Sequence, residues 1–238
     1  MLKLTDTEVA QMKQTRLKFD IDAIGLASEA FKSLRANVQF CGPDVRAIVI
    51  TSCLPDDGKS TTSIGLSFAL ARAGKKVLLV DADLRKSIMV RKFSDEVGVV
   101  GFSELLSGQA SMADVLYSTQ EENMKVIFSG QYPANPAELL SSSALKSFIE
   151  EQKAVYDYII IDTPPLGVVV DAALVANVCD SAILVVAEGK VKGDIALAVK
   201  NQLEKSGVHI IGAVLNSKSK KNKSSKYGKY KYRNKYYG

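Results

Sequence analysis

The chain of 238 residues has one histidine, three cysteines, no long apolar run, and no leader pattern at Met1-Leu-Lys-Leu-Thr-Asp6. Each shortage excludes something. Crossing a bilayer takes about 20 consecutive apolar residues, and an export leader takes a basic start followed by an apolar stretch. The expected location is therefore the cytoplasm. Cys41, Cys53 and Cys179 are odd in number and lack the spacing of metal ligands. They are expected as reduced thiols. His209 opens a predicted strand and is given no catalytic role.

Acidic residues are missing from one region. Ser217–Gly238 holds eight lysines, Arg233 and no Asp or Glu, which leaves 22 basic and 26 acidic side chains elsewhere. The net charge of +5 is thus the sum of a mildly acidic body and a strongly basic tail. The tail also carries Tyr227, Tyr230, Tyr232, Tyr236 and Tyr237, five of the nine tyrosines. It has too little aliphatic surface to build a core, so disorder is expected there. The body has ample apolar content, at 47% of the whole chain, for one α/β domain. The expected division is an N-terminal arm (1–26), a nucleotide-binding domain (27–216) and a flexible tail (217–238).

The body is organised around Thr51-Ser-Cys-Leu-Pro-Asp-Asp-Gly-Lys-Ser-Thr-Thr62. An apolar run, Ala47–Ile50, precedes it and a helical pattern from Ser60 to Ala73 follows, stopping at Gly74. Strand, loop and helix in this order are the context of a phosphate-binding loop. Loop amides and the helix N-terminus face phosphate oxygens there. Asp57, Gly58, Lys59, Ser60 and Thr61 are the candidate nucleotide contacts. Lys59 supplies a point charge for the β- and γ-phosphates, and the Ser60 hydroxyl reaches Mg²⁺.

Two further strands end on acids. Val77–Val80 is an apolar run that leads into Asp81 and Asp83, and Tyr158–Ile161 leads into Asp162, followed by Thr-Pro-Pro165. Ligands of open α/β sheets bind beyond the carboxyl ends of the strands. Asp81 and Asp83 there read as Mg²⁺ ligands or a general base, and Asp162 as the Walker B acid. Further predicted strands are Lys125–Phe128, Ser181–Val186 and His209–Asn216. Predicted helices are Glu29–Phe40 (capped by Ser28), Ala137–Gln152, Val168–Val178 and Gly193–Ser206, with short helices between 86 and 124. Alternation of the two predicts a mostly parallel sheet flanked by helices, in the manner of a P-loop NTPase.

The combination resembles the bacterial tyrosine kinases, in particular the stand-alone cytoplasmic type of capsule and exopolysaccharide operons. Thr51–Thr62 is similar to their Walker A loop, Val77–Arg85 to Walker A′, Ile159–Pro165 to Walker B, and Ser28–Asn37 to the oligomerisation helix. Gly130–Leu140 and the tyrosine tail also match that pattern. The resemblance implies ATP-dependent autophosphorylation of the tail between neighbouring subunits of a ring. It implies Lys59 on the phosphates, and Ser60, Asp83 and Asp162 around Mg²⁺. Asp81 would be the base for the tyrosine hydroxyl and Arg85 a helper at the transferring phosphoryl group. Glu29, Lys32 and Arg35 would form the ring contact. Implied partners are a membrane polysaccharide co-polymerase acting as adaptor, which would recruit the chain to the inner face of the membrane, and a cognate phosphotyrosine phosphatase. No specific nucleic acid is implied.

The chain departs from the family pattern at three points. Asp56 stands where a glycine gives easy access to positive φ. Lys32 replaces an arginine and cannot repeat its carboxylate fork. Ser87 stands where a proline is usual. The eukaryotic kinase segments His-Arg-Asp and Asp-Phe-Gly are both missing. Two other readings share parts of the pattern. A ParA/MinD-type ATPase switch has the same acids, but places a second lysine where this chain has Leu54. A non-enzymatic adaptor would use the basic tail to bind polyanions.

Overall fold

The computed structural model describes residues 28–90 and 99–217. The predicted arm and all of the predicted tail beyond Ser217 lie outside the described residues.

The chain enters through α1 (Glu29–Phe40), then β1 (Ala47–Ser52) and α2 (Lys59–Arg72), which form the strand, loop and helix of the phosphate loop. β2 (Val77–Asp81) follows, then two short helices, α3 (Phe102–Leu106) and α4 (Met112–Val115). Next come β3 (Tyr117–Ser118), β4 (Met124–Ile127), α5 (Pro136–Leu140) and α6 (Ser143–Lys153). The last third contains β5 (Tyr158–Asp162), α7 (Asp171–Ala176), β6 (Ser181–Ala187), α8 (Gly193–Glu204) and β7 (His209–Asn216). Among the described residues these strands form one sheet in the order β3-β4-β2-β5-β1-β6-β7. All neighbours are parallel except β3 and β4.

The apolar runs explain the layers. Every residue of β1, β2 and β5 is buried, so both faces of the central sheet need cover. Successive side chains of a strand point to opposite faces. Ile48 and Ile50 accordingly join the core under α1 and α2, while Ala47 and Val49 join the core under the later helices. α2 is buried along most of its length, with Ile64, Leu66, Phe68 and Leu70 all inside the core.

Several expectations are corrected. The single helix predicted over Ala137–Gln152 is two helices that meet at Ser141 and Ser142. The Ser142 hydroxyl donates to Leu139 O (2.7 Å), and that local bond competes with helix continuation. The helix predicted from Val168 begins only at Asp171, because the chain first turns out of Thr163-Pro-Pro165. The two-residue strand β3 was not foreseen within 86–124. Ser28 sits at the head of α1 with extended backbone but makes no side-chain cap bond. β7 is the edge strand beside β6, and its residues are exposed or half-buried.

α1 is seated on α2 through a close approach. A Cβ built on Gly65 would lie 2.2 Å from the Phe31 ring, so a side chain at that position would force the ring to move. Gly65→Leu is therefore expected to cost about 1–3 kcal/mol through overpacking. That loss lowers the melting temperature by roughly 2–10 °C. An unchanged melting curve would mean that α1 does not rest on α2.

Candidate active site

The sheet brings the three strand ends together. β2, β5 and β1 are adjacent, in that order, so the loops that follow them share one rim. Asp81 and Asp162 occupy paired positions of neighbouring parallel strands. Lys59, the first residue of α2, reaches across to both acidic loops. Its Nζ lies 3.1 Å from Asp83 Oδ2 and 3.8 Å from Asp162 Oδ2. It also donates to Ser60 Oγ at 3.3 Å. Ser63, one turn further along α2, donates to Asp162 Oδ1 at 3.0 Å.

Asp81, Asp83 and Asp162 are all buried, and Lys59 is the cation set among them. Burial, and then the Asp162 carboxylate, push the Asp81 carboxyl up to about 8. Asp162 also moves up through burial, although Lys59 and the serine hydroxyls oppose the shift. Burial alone would lower Lys59, but Asp162 and Asp83 outweigh it and hold its pKa above the ordinary value. Asp81 is oriented at both oxygens. Its Oδ1 accepts the Asp83 amide at 3.2 Å and its Oδ2 accepts the Ser87 hydroxyl. The serine that replaces the usual proline thus holds the candidate base.

The phosphate loop carries backbone strain. Asp56 has φ +61°, the one positive value outside glycine among the described residues. This is the conformation that a glycine would adopt freely and that Asp adopts at some cost. Gly58 follows at φ +98° and opens α2. A Cβ on Gly58 would lie 2.1 Å from Asn216 Nδ2. The loop is clasped from the far side of the sheet. Asn216, at the end of β7, donates to Asp57 O at 2.8 Å. Lys190, after β6, pairs with Asp57 Oδ1 at 3.2 Å and donates to Pro55 O. The Asp57 carboxylate is fully buried and its Oδ2 accepts the Leu54 amide at 2.8 Å. Its side chain therefore braces the loop from within, and Asp57 is not among the residues that line the cavity beside it.

The loops enclose an open cavity of about 650 Å³. Gly58, Lys59, Ser60 and Thr61 line it, as do Asp83, Arg85 and Asn216. Arg85 is held by Asp171, with Nε–Oδ2 2.7 Å and Nη2–Oδ1 3.0 Å. This is the two-pronged arginine–carboxylate geometry, and Asp171 is fully buried behind it. Sequence reasoning missed Asp171, Lys190 and Asn216. Asn216 ends an apolar strand run at the same sheet edge as the other site residues, which was the available signal. Lys190 and Asp171 carried none.

The predicted ring residues lie elsewhere, on α1. Glu29 and Lys32 form an ion pair of 2.6 Å between side chains that are 85% and 56% exposed, worth little to stability. Arg35 is part-buried and donates to Ala69 O of α2 at 3.4 Å. Phe40, at the end of the same helix, is 86% exposed. The five predicted phosphorylation sites lie outside the described residues.

Strand order, loop and acids define a P-loop nucleotide-binding protein, and a family model described as an AAA domain matches residues 46–206. The tyrosine-protein kinase CpsD of Streptococcus agalactiae is 40% identical over 218 residues, which are 92% of this chain and 89% of that protein. By these matches the chain belongs to the bacterial tyrosine-protein kinase family. The kinase domain of Escherichia coli tyrosine kinase ETK superposes with a TM-score of 0.79 at 29% identity, covering 95% of this chain and 92% of that one. The septum site-determining protein MinD from Pyrococcus horikoshii, solved with Mg-ADP, matches at TM-score 0.61 and 31% identity. That match covers 72% of this chain and 70% of MinD, so the core is shared more widely than the kinase pattern. Among the described residues, no helix is long and apolar enough to cross a membrane.

The pKa of Asp81 gives a test of the site's electrostatics. The ordinary aspartate value is about 4. A folded value raised to about 8 means that the native state holds this proton more tightly than the unfolded chain. The associated stability is complete below about pH 4 and is lost as pH rises towards about 8. Asp81→Asn keeps the shape and removes that loss. Without nucleotide, it should raise the melting temperature by roughly 3–8 °C at pH 8 and by half of that or less at pH 5. Scanning calorimetry at the two pH values reads the difference. Equal shifts at both would rule out burial of a charge at Asp81 as the cause.

Proposed function

We propose that this tyrosine kinase moves the γ-phosphoryl group of ATP onto tyrosine hydroxyls of its own C-terminal tail. The observation that carries the reading is the meeting of Lys59, Ser60, Asp81, Asp83 and Asp162 at one rim, in a chain of this family. Lys59 and the first-turn amides of α2 take the phosphates. The phenolic oxygen forms a bond to the γ-phosphorus as the bond to the bridging oxygen breaks and ADP leaves. The phenol, with an ordinary pKa of about 10, passes its proton to Asp81 in its ionised form, which Ser87 and the Asp83 amide hold in place. Arg85, fixed by Asp171, supplies positive charge at the transferring group.

The donor set fits Mg²⁺. Buried carboxylates outnumber the one lysine set among them, which leaves negative charge for a cation to offset. Among the described residues no group of three or more His, Cys, Asp or Glu side chains is arranged to hold a metal alone. Mg²⁺ commonly uses one or two carboxylates and draws its other ligands from water and phosphate. Ser60, Asp83 and Asp162, with Asp81 beside them, would hold it. When bound, Mg²⁺ offsets charge on the phosphates.

The remaining proposals concern assembly. The exposed Glu29, Lys32 and Phe40 on α1 would meet a second copy, building the ring in which one subunit phosphorylates the tail of the next. A membrane polysaccharide co-polymerase would recruit and activate the kinase in capsule or exopolysaccharide synthesis, and a phosphotyrosine phosphatase would reset it. An ATPase switch of the MinD type lacks a use for the tyrosine tail. A purely polyanion-binding adaptor lacks a use for the three acids.

Lys59→Met should abolish phosphotyrosine in the tail while leaving the fold intact. Mass spectrometry of Tyr227–Tyr237 after incubation with ATP and Mg²⁺, beside a circular dichroism spectrum, reads both. Undiminished tail phosphotyrosine in the purified variant would refute the site. Changing Glu29 and Lys32 together to Ala should convert the assembly to monomers in sedimentation or light scattering. Arg35 is better left in place because it bonds to α2. The same assembly size in wild type and variant would leave α1 as a solvated face.

A further inference from the structure

The cavity has a second wall that the phosphate chemistry does not use. Ile88, from the loop after β2, and Pro164, Pro165, Val168 and Val169, from the loop after β5, line the same space as Lys59, Asp83 and Arg85. Ile88 is 43% exposed and Val168 57%, so large apolar side chains stand open at the mouth of a polar site. Nothing in phosphate binding calls for them. Open apolar surface next to convergent polar groups is the composition of a ligand subsite.

We infer that this wall is the seat of the acceptor tyrosine ring, with Ile88 and Val168 as its specificity-determining contacts; the inference rests on the kinase reading above. A phenol carries its hydroxyl a full ring beyond Cβ. Resting the ring on an apolar wall brings that hydroxyl towards Asp83 and Arg85, which line the same cavity. A serine or threonine hydroxyl sits on Cβ itself and gains nothing from the wall. Aromatic rings bury large apolar area with few rotatable bonds, which suits selection by shape. The occupant we assign is a tyrosine of the tail. The chain passes into the tail from β7 at Asn216, which itself lines the cavity. Tyr227 comes eleven residues later, within about 35 Å of extended chain, so tails of the same or an adjacent copy come within reach. The lysine-rich surroundings of those tyrosines also oppose the acids in sign.

The test uses the full chain with its five tail tyrosines changed to Ser, so that no ring of its own competes. Loaded with a non-hydrolysable ATP analogue and Mg²⁺, it is titrated with three peptides of the 224–238 sequence. One keeps tyrosine, one has Phe at each tyrosine position and one has Ser. The Tyr and Phe peptides should bind within about threefold of each other, and the Ser peptide at least tenfold more weakly. Ile88→Ser with Val168→Ser should raise KM for the Tyr peptide at least tenfold, with a much smaller change in kcat. Equal binding of Phe and Ser peptides would overturn the ring seat. So would a loss of nucleotide affinity in the double variant that matches the KM change, because the wall would then belong to the nucleotide. Ring-dependent binding with no phosphoryl transfer from ATP would instead count against the kinase reading and leave the seat standing.

Discussion

Two carboxylates at the same level of adjacent parallel strands set the terms for this molecule. Asp81 and Asp162 are paired across β2 and β5, both buried, and both pushed above the usual carboxylate range by their surroundings. Such an arrangement is expensive to fold unless something positive stands among the acids. Lys59 provides it from the head of α2. The same charge excess that burdens the resting protein makes the rim a place where a cation and a polyphosphate can settle together. Stability and readiness for the ligand pull in opposite directions here, as they commonly do at functional sites.

The phosphate loop shows how the rest of the sheet answers for that strain. Asp56 occupies a left-handed conformation that glycine would adopt more easily. Lys190, in the turn after β6, and Asn216, at the end of β7, grip the loop at Pro55 and Asp57. The outer strands therefore do more than widen the sheet. They hold the loop in its working shape, and the β7 residue that does so stands next to the start of the tyrosine-bearing tail. Asp171 plays a similar part for Arg85, turning a flexible surface arginine into a fixed charge at the cavity wall.

Most of the architecture was legible in advance because burial on both faces leaves a plain signature. The runs at Ala47–Ile50, Val77–Val80 and Tyr158–Ile161 could hardly be anything but central strands, and each leads into a loop of the site. The errors fall where short local interactions compete with helix formation. Ser141 and Ser142 divide one predicted helix, and Thr163-Pro-Pro165 delays another. β3 is too short for any periodicity to register.

What the amino-acid sequence determined alone was the order of elements and the chemistry at each strand end, because apolar period and loop residues are local properties. It also placed the basic tyrosine tail apart from the acidic body. What only the tertiary structure decided was which of those residues stand together. Placing β5 between β1 and β2 sets Asp162 level with Asp81 and within reach of Lys59. It also brings Asp171 to Arg85 and the loop of Val168 to the loop of Ile88. Contacts of this kind span tens to more than a hundred residues of chain. They arise from the packing of the sheet as a whole, which no window of sequence contains.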